Sequence, residues 1–476
     1  MKSYYILKPK NLNLEYLANK YPPEFNFNLD FTYLIVHFVI MYQSNKSNTN
    51  YVRLSSKYLQ KYNRIYNKHI RFLLDNYPND GAVLRGTRYD KGKPYGYKLP
   101  KHYFNNELDI YEIKDVNLLK KINNFLLINT TNEQIRLHYY FLHKHFKNNK
   151  LTVYEPFQAI DEINNLKEEK RLRNAKNLIA IMNNQYKCTL KPNTDGRVHS
   201  NITRLSKISR KYLQYEGEFL GEVDISSAVP YFLFITMSYY LNNNLSYISN
   251  EFQYNNTITY MLAEIKGDLA KSDVDSFGKS VLNKELYNQF TNQIFKKELY
   301  TSKGKDFTKV MKYYNHAFKE HFGYHFDGDI EDLKKFSKKR LLSMIFAKAN
   351  SYTFEQIAFG SMFPKVLKFI NEFKNACLNK EDIKIKLEHS QRHKKLSYFC
   401  FQFEAKIMID KIARAFDKYH KGKVPIFTLH DCLITRVSHL EELKDFMEMK
   451  FVELLDIAPN LTIEKSLLHD SYLEAV

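Results

Sequence analysis

Tryptophan is absent from this chain of 476 residues, and cysteine occurs only four times. Cys188, Cys377, Cys400 and Cys432 are scattered and form no CxxC pair. That spacing argues against a zinc ribbon and a disulfide framework, and for a reducing compartment such as a bacterial cytoplasm. Long apolar runs are missing too. Met1 to Lys10 lacks the apolar core of a secretory signal. The most apolar stretch, Phe31 to Tyr42, is too short to span a bilayer and is expected to be a buried helix or strand. No membrane partner is expected. There is no internal repeat and no long low-complexity linker. The first 190 residues hold only unpatterned acids such as Asp109, Glu112 and Asp115.

Positive charge is what the chain has in excess. It carries 72 Lys+Arg against 52 Asp+Glu, a formal net charge of +20. An excess of this size favours a polyanionic partner, nucleic acid or an acidic membrane. Tyr (37) and Phe (35) are abundant, but Lys, Asn, Ile, Tyr and Phe all have AT-rich codons. The aromatic richness therefore reflects the source genome as much as any base-stacking platform.

The length suits two or three domains. Within residues 1–105, Val52, Leu54, Leu59, Tyr62, Tyr66, Ile70, Leu73 and Leu74 follow helical spacing, after a polar loop at Gln43 to Asn50. Asn79-Asp80-Gly81 signals a turn, and Ala82 to Tyr89 and Tyr95 to Leu99 are expected to be short strands around Asp90 to Pro94. Helices followed by a basic hairpin (Arg85, Arg88, Lys91, Lys93) predict a small winged-helix-like domain, suited to DNA or to protein contacts. Residues 106–190 are expected to be a helical, thumb-like connector. There Asp161 to Lys187 reads as one long amphipathic helix with Ile163, Leu166, Leu178, Ile179 and Met182 on its apolar stripe. Residues 191–476 mix strand-like runs, Phe219 to Ile225 and Val424 to Val437, with helical sequence between them. The helical runs are Thr257 to Ile265, Asp306 to His321, Asp329 to Asn350 and Phe354 to Lys374. This is an α+β pattern.

Two acids close strand-like runs. Asp224 ends Gly221-Glu222-Val223-Asp224-Ile225, and Asp431 sits at the His430-Asp431 step between two apolar strands, as at a hairpin tip. Singly, each is an ordinary turn residue. Together they suit nucleotidyl transfer. That reaction must activate a 3′-hydroxyl, release pyrophosphate and offset charge on the reacting phosphate, all of which two Mg²⁺ ions about 3.5–4 Å apart serve. Mg²⁺ takes oxygen ligands and keeps waters, so two carboxylates plus substrate phosphates suffice; Mn²⁺ is the alternative ion. The two carboxylates are expected within about 4–7 Å of each other on adjacent strands.

The order of segments from Thr189 to Glu464 resembles the polymerase module of family A DNA polymerases and their single-subunit RNA polymerase relatives. Thr194-Asp195-Gly196-Arg197-Val198-His199-Ser200 is similar to the T-x-G-R-L-x-S segment. Val223-Asp224-Ile225-Ser226 resembles motif A. Asp329 to Asn350 occupies the place of the fingers helix, Phe401-Gln402-Phe403-Glu404-Ala405 that of the Q-G-x-x-A helix, and Leu429-His430-Asp431 that of motif C. Pro459 to Glu464 resembles the closing strand. The resemblance implies a right-hand polymerase: a palm sheet with helical fingers and thumb. Asp224 and Asp431 would be the catalytic metal ligands, and Arg197, Gln402 and His430 would contact nucleic acid. On the fingers helix, Lys334, Lys338, Leu342 and Phe346 follow the family's four-residue steps. Lys334, Lys338 and Phe346 would bind the incoming nucleotide, with Lys339, Arg340 and Lys348 as rivals in a shifted frame. Val229 stands where the family has a Glu that helps exclude the 2′-hydroxyl, and Cys432 follows His-Asp where DNA polymerases have Glu. The choice of sugar therefore stays open.

The expected function is template-directed DNA synthesis on a primer–template from nucleoside triphosphates, in phage, plasmid or mobile-element replication. The alternatives are an RNA polymerase, a primase-like or template-independent transferase, and a non-catalytic DNA-binding protein on a degenerate polymerase fold.

Overall fold

The structure is a computed structural model that describes residues 3–43, 51–87, 94–125, 130–131, 133–147, 149–244, 265, 269–379, 388–466 and 468. It is α+β, with a curled antiparallel sheet at its centre. Six strands form that sheet in the order Phe427–Leu429, Cys432–Arg436, Glu218–Ile225, Leu213–Tyr215, Leu151–Val153, with Leu461–Glu464 also paired to Glu218–Ile225. The long strand Glu218–Ile225 is thus flanked on both edges, which fixes its register at the end that carries Asp224.

Gly221 makes this close packing feasible. It pairs with Thr435 across the sheet. A Cβ there would overlap the Leu440 side chain and lie 3.0 Å from the Glu464 carbonyl oxygen. Leu440 is itself fully buried, so it cannot simply step aside. Gly221→Ala is expected to destabilise the protein by about 1–3 kcal/mol, the usual range for overpacking. Urea denaturation would check this; an unchanged midpoint would mean that Leu440 and the closing strand yield freely.

Among the described residues, two hydrophobic cores are present. One gathers residues from Tyr4 to Ile122 together with Ala159, Ile160, Ile163, Ala175, Leu178 and Ile179. Its centre is the helix Leu29–Tyr42, whose residues 30–40 are all buried. A helix apolar on every face is stable only when surrounded, which is why this run folds inside the domain. The strand Tyr4–Pro9 pairs along its length with Leu108–Ile113. The second core runs under the central sheet and the helices that follow it, from Ile135 to Leu461. Among the described residues, no helix is long and apolar enough to cross a membrane.

Several elements differ from the sequence reading. Val52–Arg53 is a strand, and the helices following it are Ser56–Gln60 and Tyr66–Leu74. The two short strands shrink to Arg85–Gly86 and Gly96–Lys98, which pair as a hairpin with Val52–Arg53 alongside. The hairpin tip, with Arg88, Lys91 and Lys93, lies outside the described residues, as do residues 44–50 and 257–264. The long helix expected over Asp161 to Lys187 is two helices, Pro156–Asn164 and Glu168–Met182, followed by a strand at Lys187–Leu190. The break falls at Asn164-Asn165, residues that favour turns over helix interiors. It lets both helices bury their apolar faces in the same core. The run Phe354 to Lys374 likewise splits into Thr353–Met362 and Pro364–Asn379. Pro364 has no N–H to continue the first helix, but is well suited to begin the second.

Candidate active site

Alternating burial along Glu218–Ile225 turns Asp224 away from the core while Val223 and Ile225 are buried. Asp224 lies opposite Cys432 on one neighbouring strand and Thr462 on the other. The hairpin Phe427–Leu429/Cys432–Arg436 closes through His430-Asp431. His430 takes a left-handed backbone at φ 53°, a conformation that costs a non-glycine residue about 1 kcal/mol and accumulates where geometry matters. The Ile225 amide donates to the Asp431 carbonyl at 3.3 Å, which joins the hairpin tip to the strand end.

This construction brings the Asp224 and Asp431 carboxylates and the Cys432 thiol within 4.8 Å of one another. The Cys432 thiol donates to Asp224 Oδ1 at 2.7 Å. Burial and the Asp431 charge push the Asp224 carboxyl up to about 6, against the pull of the thiol and of Lys338. Two crowded acids only partly offset by Lys338 are a fitting donor set for a divalent cation with oxygen preference.

Asp224 holds its proton more tightly folded than unfolded, so its contribution to stability is full below about pH 4 and is lost as pH rises through about 6. Asp224→Asn is therefore expected to stabilise the metal-free protein above pH 6 by about 1–2 kcal/mol, a value discounted for solvent reaching the cleft. The advantage should shrink toward pH 4. Thermal melts in EDTA across that range check it, and a variant less stable than wild type at pH 7 would contradict it.

The helix Ile330–Phe346 begins at Asp329, whose side chain caps it by accepting from the Glu331 amide at 2.8 Å. Of its expected residues, Lys338 is brought to the site. Its charge acts on Asp224, and its ammonium lies 5.6 Å from the Tyr287 ring centroid. Lys334 is not brought there by any described contact, and pairs with Glu331 one turn away on the exposed face. Phe346 packs edge-on against Phe401, with ring centroids 5.5 Å apart. Among the rivals, Arg340 is committed elsewhere: it pairs with the buried Glu355 at 2.5 Å and lies over the Tyr313 and Tyr352 rings. Lys339 contacts His321, and Lys348 is exposed.

Arg197 is pinned beside the hairpin tip. Its Nε donates to Glu404 Oε1 at 2.8 Å, Nη2 lies 2.5 Å from the same carboxylate, and the guanidinium stacks 4.4 Å from the Phe401 ring centroid. Nη1 remains turned to His430 Nδ1 at 3.4 Å. Gln402 is buried and donates to the Thr194 and Pro192 carbonyls at 2.9 and 3.3 Å, so it holds the loop that carries Arg197. Gly196, at φ +66°, lets that loop pass against Gln402.

Two residues were missed in the sequence. Glu404 is almost fully buried, and burial pushes its carboxyl upward against the pull of Arg197. A charged residue inside the apolar helix Lys395–Ala405 was the available signal. Tyr287 left no signal; its ring lies under Lys338, and burial pushes its hydroxyl up to about 12. No protein-family model matches this chain, and no curated protein matches it significantly.

Proposed function

We propose that this chain is a template-directed nucleotidyltransferase of the family A type, a DNA polymerase without proofreading, working by a two-metal mechanism. The carrying observation is the pair Asp224 and Asp431. They are 207 positions apart (431 − 224), yet a carboxylate oxygen of Asp224, on its strand, lies within 4.8 Å of one of Asp431, in the turn that opens the adjacent antiparallel strand. In this reading the central sheet is the palm, the helices between residues 271 and 379 are the fingers, and the N-terminal part, whose core continues past residue 105 to Ile179, carries the winged-helix-like DNA-binding unit. The net charge of +20 supports a nucleic-acid partner.

Asp224 and Asp431 would hold two Mg²⁺ ions, which when bound favour the 3′-alkoxide and offset the charge of the departing pyrophosphate. Lys338 approaches from the fingers side and would bind the triphosphate. Arg197, with its guanidinium plane fixed between Glu404 and Phe401, offers its remaining edge toward a primer phosphate. The β-branched Val229 supplies no carboxylate to read the sugar, so the preference between dNTPs and NTPs is a matter for assay.

Purified protein with a labelled primer–template, Mg²⁺ or Mn²⁺, and either dNTPs or NTPs is expected to add the complementary nucleotide. No addition with any nucleotide set would overturn the reading. Lys338→Ala is expected to raise KM for the nucleotide by about 10-fold or more, the worth of one charged hydrogen bond. Steady-state kinetics at fixed primer–template checks it.

A further inference from the structure

A second set of metal-ligating side chains converges at the opposite end of the strand that starts beside Asp431. His420 caps the helix Arg414–Tyr419, His439 ends the 3₁₀ turn Val437–His439, and Glu442 lies in the first turn of the helix Leu440–Leu455. One potential ligand atom from each lies within 4.8 Å of the other two. Glu442 bridges the imidazoles, with Oε1 3.3 Å from His420 Nε2 and Oε2 2.9 Å from His439 Nδ1. His420 Nε2 is buried and makes no hydrogen bond of normal geometry among the described residues.

Two imidazoles and one carboxylate are the donor set of three-ligand zinc sites. With zinc bonds of about 2.0–2.1 Å, tetrahedral ligand atoms stand about 3.3 Å apart. The two Glu442 contacts, 3.3 and 2.9 Å, are near that length but end on different oxygens, so binding requires the carboxylate to turn and the three ligand atoms, now within 4.8 Å, to close up. Imidazole ligands favour Zn²⁺ over Mg²⁺, so this set differs in kind from the aspartate pair. We propose that His420, His439 and Glu442 bind Zn²⁺, with water as the fourth ligand.

Arg436 dictates what binding rearranges. Its Nη2 lies 3.2 Å from His439 Nε2, which must therefore accept, leaving the ring proton on Nδ1 toward Glu442. Zinc takes the Nδ1 lone pair, the proton moves to Nε2, and Arg436 must withdraw. It has a destination: Nη1 and Nε stand 3.7 Å from Glu216 and Glu218, and Nε is buried without a hydrogen bond among the described residues. Zinc would thereby fasten the exit of the strand Cys432–Arg436 to the end of the neighbouring helix.

The test uses full-length, metal-free protein carrying Asp224→Asn and Asp431→Asn, which removes the competing carboxylates. Titration with Co²⁺ is expected to give one visible-absorbing site per chain, without a sulfur charge-transfer band, displaced by Zn²⁺. His420→Ala and Glu442→Gln should each weaken binding by about 10-fold or more, the lower bound being set by the loss seen even for outer-shell partners. The Glu442 side chain is 41% exposed, so Glu442→Gln should leave the fold intact, which circular dichroism verifies. Absence of saturable binding, binding undiminished in both variants, or a sulfur charge-transfer band placing the ion on Cys432 would each overturn the proposal.

Discussion

Asp431→Ala is expected to lower the rate of nucleotide addition by about 10³-fold or more, the scale on which removal of one preorganised electrostatic group acts. Asp224→Ala should do the same. Both losses should fall on kcat, because the carboxylates hold charge that matters most as the pyrophosphate departs. Neither variant should unfold. Removing one of two crowded acids relieves the repulsion that raises the Asp224 carboxyl, so the metal-free variants should melt no lower than wild type. Single-turnover extension beside a thermal melt separates the two effects. Rates within tenfold of wild type at saturating Mg²⁺ would remove these residues from the mechanism, even if extension itself is observed.

Above the pH at which Glu404 ionises, Arg197→Ala is expected to cost about 3–5 kcal/mol of stability, because it leaves that carboxylate buried without its countercharge. The sign of the pH dependence follows from Glu404. Burial already raises its folded-state pKa, and loss of Arg197 raises it further. With Arg197 in place the carboxyl is already pushed up to about 8, so both proteins hold the proton below that pH, and the deficit of the variant should grow only as pH rises above about 8. Replacing both residues with apolar side chains of similar volume should cost much less than Arg197→Ala alone. A double-mutant cycle in urea tests this. A deficit that stays below about 1 kcal/mol well above pH 8, the range of an exposed pair, would mean that solvent screens Glu404 after all.

The sequence by itself determined the local parts of the site. The strand ending at Asp224 and the hairpin around His430-Asp431 were legible because period-2 burial and a short polar tip are written into consecutive residues. The buried helix Leu29–Tyr42 was legible as an uninterrupted apolar run, though its type was left open between helix and strand. The break at Pro364 was also local, but the apolar pattern continues across it and hid two helices as one.

What only the tertiary structure decided is which distant residues meet. Periodicity could not choose between Lys338 and Arg340 on the fingers-position helix, since both lie on plausible faces. The choice comes from neighbours far along the chain: Glu355 takes Arg340 into the protein interior, while Tyr287 and Asp224 receive Lys338. Arg197 carried no local mark of its partner, because Glu404 lies 207 positions away. The Asp224–Asp431 approach is of the same kind. Strand pairing sets it, and pairing energy depends on register and burial across the whole sheet, which no window of sequence contains.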